Sequence, residues 1–242
     1  ANTTADENTA VGYIALNDNT TGALNTAVGA YCLDVNTTGG SNVAVGANAL
    51  GANTTASNNT ALGTRALQEN TTGAQQTAVG MNALKDNTTG GNNTAVGYQA
   101  MTDNTTGGLN AALGRESLFK NTTGSQNTGC GAYTLYENLT GSENTAVGYV
   151  ALEKNTASYN TAVGSRALDL NTTGASNVAL GYQSLTSNTT ASNNTALGYG
   201  AMAANSTGAD NTAVGSAALD AITTGSRCTA VGKSALGANT GN

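Results

Sequence analysis

The 242-residue sequence predicts an all-β fold, namely a parallel β-solenoid, or β-roll, of about fourteen 17-residue coils. Three observations predict it. Nearly the same segment recurs every seventeen residues, as residues 8–24 and 25–41 show, and its apolar residues keep their places. The chain contains no proline, which could not donate a backbone hydrogen bond to the next coil. A repeat this short suits one turn of a solenoid and not a helical hairpin.

The glycine of the AVG or ALG tripeptide marks each coil, from Gly12 to Gly232. Fourteen such marker glycines define thirteen intervals, of which twelve are seventeen residues long and one, Gly148–Gly164, is sixteen. The missing residue falls in the segment NTASYN at 155–160, and a tolerated deletion indicates a turn. We therefore predict one repeat array over residues 1–242, without separate domains.

Each coil is predicted to hold two short strands and two corners. The first strand is NTAVG, and the second ends in AL, where Leu16 begins a row that only Met101 and Met202 interrupt. The asparagine of NTT recurs in every early coil, which predicts a stacked ladder of amides. The glycine after NTT is predicted to take a corner conformation that a Cβ would block. Charges just after the leucine, as at Asp18 and Glu69, predict a solvated corner.

Strand alternation separates Thr and Val from the alanine between them. If valine fills the interior, this alanine points outward, and an outward residue facing water has no reason to stay small. We therefore predict that the alanine row packs against other copies of the chain, most simply in a parallel homotrimer. The predicted self-association face comprises Ala10, Ala27, Ala44, Ala61, Ala78 and Ala95.

Composition argues against several classes of function. The net charge is −6 and the eight basic residues are scattered, which disfavours a nucleic-acid partner. No apolar stretch approaches the eighteen residues that membrane insertion needs. The chain has no histidine, so the usual Ser–His and Cys–His nucleophile pairs are excluded. We expect no enzyme activity, no cofactor and no metal site, although weak cation binding along the acidic corner stays open.

The three cysteines, Cys32, Cys130 and Cys228, replace different residues of the repeat and lie several coils apart. A disulfide needs Cα atoms within about 7 Å, which this separation forbids. We predict that all three are buried and act as small hydrophobic residues.

The segments NTAVGYQAM at 93–101 and NVALGYQSL at 177–185 resemble the head repeats of trimeric autotransporter adhesins, which are built on Asn/Ser-x-Ala-Ile/Val-Gly units. The repeats also resemble those of phage tail-fibre-like and bacterial surface fibre proteins. The resemblance covers essentially the whole chain, although the repeat here is longer. It implies a left-handed parallel β-roll, trimeric in the adhesins, that projects from a cell or virion surface into the extracellular space.

Our first functional hypothesis is a non-catalytic structural or adhesive segment of an extracellular fibre, whose partners are itself and a host-surface glycan or protein. Tyrosine binds well at low entropic cost, so exposed tyrosines are the contact candidates, unless they only cover the strand edge. These candidates are Tyr13, Tyr98, Tyr149, Tyr182 and Tyr199. The repeat-like start and end of the chain predict a longer array or rods stacked end to end into a filament.

Asn-x-Thr triplets could instead carry glycans, unless the asparagines point inward. These glycan candidates are Asn19, Asn36, Asn53, Asn70, Asn87, Asn104 and Asn121. The alternative functional hypothesis is an ice-binding solenoid that presents threonine ladders from NTT. Thermal hysteresis or ice shaping favours this alternative, and glycan or cell binding favours the fibre.

Overall fold

The computed structural model describes residues 4–238, which form two compact units that divide between Ser125 and Gln126. Each unit is a parallel β-solenoid with seven three-residue strands, which confirms the predicted fold class. Unit 1 contains β1 Thr9–Val11, β2 Thr26–Val28, β3 Val43–Val45, β4 Thr60–Leu62, β5 Thr77–Val79, β6 Thr94–Val96 and β7 Ala111–Leu113. Unit 2 contains β8 Thr128–Cys130, β9 Thr145–Val147, β10 Thr161–Val163, β11 Val178–Leu180, β12 Thr195–Leu197, β13 Thr212–Val214 and β14 Thr229–Val231.

Neighbouring strands within a unit pair in parallel, with equivalent residues of successive coils opposite each other. In the β2–β3 pair, for example, Ala27 lies opposite Ala44 and Val28 opposite Val45. The shortened coil keeps this register, because Ala146 still lies opposite Ala162. Its residues 155–159 contain no strand, which confirms that the deletion falls in a turn.

The segment from the marker glycine to the leucine is a turn, so the prediction of a second strand was wrong. Tyr31 and Leu33 have φ values of 57° and 50°, in the left-handed region that a strand excludes. Their backbone groups nevertheless pair with neighbouring coils: the Tyr31 N–H donates to the Tyr13 carbonyl at 2.9 Å and the Leu33 N–H to the Ala49 carbonyl at 3.2 Å. The coils are therefore laddered here without forming a strand.

A third left-handed residue occurs two places before each strand, as at Leu24, which has a φ of 62°. It is followed by the residue, usually asparagine, that directly precedes the strand. Left-handed conformation costs roughly 1–2 kcal/mol for a residue with a side chain. The neighbouring coil holds these residues in place, since the Ser41 N–H, at the equivalent position, donates to the Ala23 carbonyl at 2.9 Å. Stacking of identical turns therefore compensates for a conformation that an isolated coil would not keep.

The marker glycine is fixed by both conformation and space. Gly63 has a φ of 136°, and a Cβ built on it would lie 2.6 Å from the carbonyl oxygen of Gly80. The glycine after NTT differs, because its φ lies outside the left-handed region. Ala56 and Ala191 occupy that same place, so this corner does not need the conformational freedom of glycine. Space is nevertheless closed at the glycines themselves, since a Cβ built on Gly39 would lie 2.3 Å from the Ala56 carbonyl oxygen.

The alanine between Thr and Val points inward, which corrects the predicted orientation of the strand. Ala27, Ala44, Ala61, Ala78 and Ala95 have no exposed surface within the single chain. Only Ala10, in the first described strand, is exposed. The interior of most coils also holds a leucine and two asparagines, so we infer that it leaves room for a methyl group and not for valine. These alanines are therefore core residues and not a self-association face.

The leucine row does fill the interior, as predicted: Leu33, Leu50 and Leu84 are fully buried, and so is Met101 where it replaces leucine. Cys32 is buried in the same region, and its thiol donates to the Gly29 carbonyl at 3.0 Å. The apolar core of each coil is therefore narrow and consists of one long aliphatic side chain between small ones.

The asparagine of NTT forms the predicted amide ladder. The Asn36 side-chain amide donates to Asn19 Oδ1 at 2.8 Å and to the Gly39 carbonyl at 2.9 Å. A second ladder, which the sequence analysis missed, runs through the asparagine that precedes each strand. Asn25 Nδ2 donates to the same Gly39 carbonyl at 2.9 Å, and Asn25 Oδ1 accepts the backbone N–H of Asn42 at 3.0 Å. One carbonyl oxygen per coil therefore joins both ladders.

The ladders persist through the shortened coil and fail where the asparagine is replaced. In the sixteen-residue coil, the Ala157 carbonyl accepts Asn144 Nδ2 at 2.8 Å and Asn155 Nδ2 at 2.7 Å. Ile222 occupies the next place after Asn205 in the NTT ladder, and within the described residues Asn205 Oδ1 is buried without a hydrogen-bond partner. The interior polar atoms are therefore satisfied by repetition of asparagine itself.

We predict that Ala95→Leu destabilises the single chain, because the interior has no space for the added atoms. Overpacking of this kind costs about 1–3 kcal/mol in unfolding free energy. Val96→Leu is the matched control, since Val96 points outward and Leu62 already occupies the equivalent place. Chemical denaturation followed by circular dichroism measures both variants, and equal unfolding midpoints would contradict the inward assignment of alanine.

Gln76 offers a second test, because it replaces asparagine in the strand ladder. Its Oε1 accepts Asn93 Nδ2 at 3.2 Å, whereas the equivalent oxygen elsewhere accepts the next backbone N–H. We predict that Gln76→Asn raises the unfolding free energy by about 1 kcal/mol, the usual net value of a hydrogen bond. Asn59→Gln, in the same row, is expected to lower it. Thermal melting of both variants checks the signs, and a lower melting temperature for Gln76→Asn would contradict the ladder geometry.

Candidate interaction surfaces

The outward side of the strands is an uncharged surface, which we call the strand face. It comprises the first and third residues of β1–β14, and these are Thr, Val, Leu, Ala and Cys only. The most exposed large side chains in its third-residue row are Val11, Leu62, Val96, Leu113, Val147, Leu180, Leu197 and Val231. Leu62, well inside unit 1, is 46% exposed. Aliphatic side chains thus line up in water along both units.

Cys130 belongs to the strand face and is exposed, and Cys228 is half-buried. The prediction that all three cysteines are buried therefore holds only for Cys32. The reason lies in the orientation of the strand: Cys130 replaces the outward valine, whereas Cys32 replaces an inward alanine.

The five predicted contact tyrosines lie directly after marker glycines, and all are exposed. Tyr182 and Tyr199 stack with ring centroids 5.5 Å apart. Tyr13 meets Tyr31 edge to face at 5.3 Å, and the Arg115 guanidinium lies 5.8 Å from the ring centre of Tyr98. Rings held by neighbours lose little entropy on binding, but a contact role for these tyrosines stays a prediction.

Two surface grooves lie between turns of successive coils. The groove in unit 2 has a volume of about 360 Å³ and is lined by Tyr133, Tyr149, Val150, Glu153, Arg166 and Asp169. The groove in unit 1, of about 320 Å³, is lined by Asp34, Val35, Asn48, Gly51, Ala52, Gln68 and Glu69. Sequence reasoning found Tyr149 and missed the rest of the unit 2 groove, because the left-handed turns that bring these residues together give no signal in the sequence.

The seven glycan candidates are buried, so the folded chain cannot carry sugar on them. Asn19, Asn36, Asn53, Asn70, Asn87, Asn104 and Asn121 all have no exposed surface. The amide nitrogen that would be glycosylated is a ladder donor, as in the 2.7 Å bond from Asn104 Nδ2 to Asn87 Oδ1. The glycosylation prediction is wrong for these residues.

The two threonines of NTT play different parts. The hydroxyl of the first donates to a backbone carbonyl of the next coil, as Thr37 Oγ1 does to the Thr54 carbonyl at 3.0 Å. The second threonine is exposed in every coil of unit 1, at Thr21, Thr38, Thr55, Thr72, Thr89, Thr106 and Thr123. Only the second threonine is therefore available as an outward ladder.

The acidic corner is partly buried. Burial raises the pKa of the Asp34 carboxyl above its ordinary value, and the charge of Asp18 acts in the same direction. Burial also raises the pKa of Asp103, with a further contribution from the charge of Asp86, which Lys85 and Lys120 oppose. No group of three or more His, Cys, Asp or Glu residues suited to a metal ion occurs between residues 4 and 238.

Comparison with known proteins finds no match to a family model, to a curated protein or to a solved structure. No helix in the described part of the chain is long and apolar enough to cross a membrane.

We predict that Asp103→Asn stabilises the protein at pH 7. A carboxyl whose folded pKa is raised contributes stability that is present below its unfolded pKa, ordinarily 3.8, and that is lost as the pH rises through the folded pKa. The Asp103→Asn variant has no carboxyl at this position, so it does not lose stability in this way as the pH rises. Its melting temperature should exceed that of the wild type at neutral pH and converge with it in strong acid. A difference that stays constant across the titration would contradict the assigned cause.

Proposed function

We propose that the chain is a non-catalytic structural and adhesive segment of an extracellular fibre on a cell or virion surface, and that copies of it associate through the strand face. The observation that carries the proposal is the uncharged strand face of each unit, with aliphatic side chains in water, such as Leu62 in unit 1 and Leu197 in unit 2. Large aliphatic side chains that recur in water along one face are typical of protein–protein contacts.

A second copy of the chain is the partner that fits best. The aliphatic side chains of the strand face recur once per coil, at the spacing of paired strands, about 4.7–4.9 Å. A partner must present the same spacing along its whole length, and another copy in parallel register does so. The resemblance to adhesin heads supports three copies, and closed symmetry brings equivalent residues of the copies together.

Outward tyrosines and the unit 2 groove supply the adhesive part of the proposal. The tyrosines follow the strands by two residues and lie in turns whose sequence varies from coil to coil. The proposal requires that assembly through the strand face leaves these exposed turns open to a host-surface glycan or protein.

We predict that the wild type sediments with a multiple of its 23.7 kDa chain mass, and that Leu62→Asp dissociates it. In a parallel assembly the equivalent carboxylates of all copies would meet at one level and be buried unpaired, which is costly. The circular dichroism spectrum should not change, because Leu62 is outside the core. Thr38→Asp, exposed but outside the strand face, is the matched control and should assemble normally.

Cys130 adds an internal check of register. If the copies are parallel and aligned, mild oxidation should link two chains through Cys130, because disulfide formation needs Cα atoms within about 7 Å. Cys130→Ser should abolish the linked species. A wild type that stays monomeric at every concentration, with no linked species, would overturn the association.

Ice binding is the second candidate function, and the same strand face favours it, since Thr and Val repeat there in two parallel rows. The ladder of second NTT threonines is a further regular array. Ice binding requires the strand face to stay open to water, whereas association covers it. Thermal hysteresis from a monomeric wild type, lost in Leu62→Asp, would favour ice binding over the fibre.

A further inference from the structure

The groove of unit 2 brings together side chains from three successive coils. Tyr133, Val150 and Arg166 each follow a marker glycine by two residues, and Glu153 and Asp169 share another row. Val150 is 9% exposed and forms an apolar base, whereas Tyr149 is 53% exposed. The groove, at about 360 Å³, lies in the range of small-molecule sites.

The aromatic side of the groove is held in place by ring contacts. Tyr133 and Tyr149 meet edge to face, with centroids 6.1 Å apart and an interplanar angle of 84°. Tyr136 lies 6.0 Å from Tyr133 and extends the cluster. Rings fixed in this way present apolar surface at little further entropic cost.

The polar side offers both hydrogen-bond donors and acceptors. Arg166 has no carboxylate within ion-pair distance among the described residues, whereas Lys85 and Arg115 pair with Asp86 and Glu116. The Asp169 carboxylate is oriented by the Thr186 hydroxyl, which donates to Oδ1 at 2.7 Å. Glu153 is half-buried beside it. Guanidinium is a pure donor and carboxylate a pure acceptor, so the ligand must supply both functions.

The groove of unit 1 shows that a groove can form between these turns without the tyrosines and the arginine that line the groove of unit 2. It shares with the unit 2 groove the second and fifth places after the marker glycine, yet it has no aromatic ring and no cation. The turn geometry therefore forms a groove with either set of side chains, and of these two grooves the one in unit 2 is the one that combines aromatic rings, a guanidinium and carboxylates.

We propose that the unit 2 groove binds a neutral hexopyranose residue of a glycan. The apolar C–H face of the sugar ring packs on Tyr149, its hydroxyls donate to Glu153 and Asp169, and a hydroxyl oxygen accepts from Arg166. The two carboxylates of the groove repel an anionic ligand, and the Arg166 guanidinium repels a cationic one. The mixed charge therefore favours a neutral polyol. This inference rests on the proposed adhesive function and assigns its ligand class.

Ligand-observed saturation-transfer NMR tests the site, with the methyl glycosides of glucose, galactose and mannose as probes and trilysine as a cationic comparison. We expect transfer to the ring protons of at least one glycoside. Tyr149→Ala should weaken binding at least tenfold and Glu153→Gln several-fold. Tyr159→Ala is the matched control, because Tyr159 is 58% exposed, lies outside the groove and is not one of the five predicted contact tyrosines, so this variant should bind as the wild type does.

Absence of transfer to every glycoside, or equal transfer in Tyr149→Ala and the wild type, overturns the proposal. Binding of trilysine in place of the glycosides overturns the assignment to a sugar. Sedimentation of the same samples keeps the two proposals separate: an assembled chain without glycoside binding refutes the groove alone, and a monomer that binds glycoside refutes the fibre assembly alone.

Discussion

The fold depends on the hydrogen bonds of two interior asparagine ladders. The interior of each coil is narrow, so polar side chains and backbone groups are buried next to one another and must form hydrogen bonds there. Each buried donor without a partner would cost about 1–3 kcal/mol. Asn25 and Asn36 satisfy this condition together by converging on the Gly39 carbonyl. The remaining amide oxygens accept from the next coil. The repeat is thus a requirement of the interior, because an amide in one coil is satisfied only by an amide or N–H at the same place in the next.

That condition explains which residues can vary. The 16-residue coil survives because Ala157 supplies the shared carbonyl in place of the usual glycine. Ile222 fits the apolar interior but leaves Asn205 Oδ1 unpaired among the described residues. The left-handed residues in the row of Leu24 vary in type because the backbone bond to the neighbouring coil, and not the side chain, holds them.

Much of the coil architecture was predictable from the sequence, because the interior requires the same residue types at a fixed spacing in every coil. The marker glycines, the leucine row and the NTT ladder follow from repetition alone. Repetition alone does not show which side of the strand faces the interior. Alternation over three residues places Ala27 and Val28 on opposite sides, but it does not indicate which of them is buried. Only the width of the interior, filled by Leu33 and the asparagines, decides it. The left-handed turns, and with them the unit 2 groove, depend on backbone conformations that residue type does not reveal.

The division between fixed and variable places also limits where a specific contact can arise. Interior residues such as Asn36 and Leu33 are buried against the neighbouring coils and contact no ligand from solvent. A substitution there therefore changes the stability of the fold and does not create a new contact. The strand face repeats with the coil and therefore suits a partner that repeats in the same way. Recognition of a single small ligand needs a place that differs from its neighbours. Tyr149 and Arg166 lie at such places, in turns where each coil has its own sequence, so a selective site can arise there while the strand face keeps its repeat.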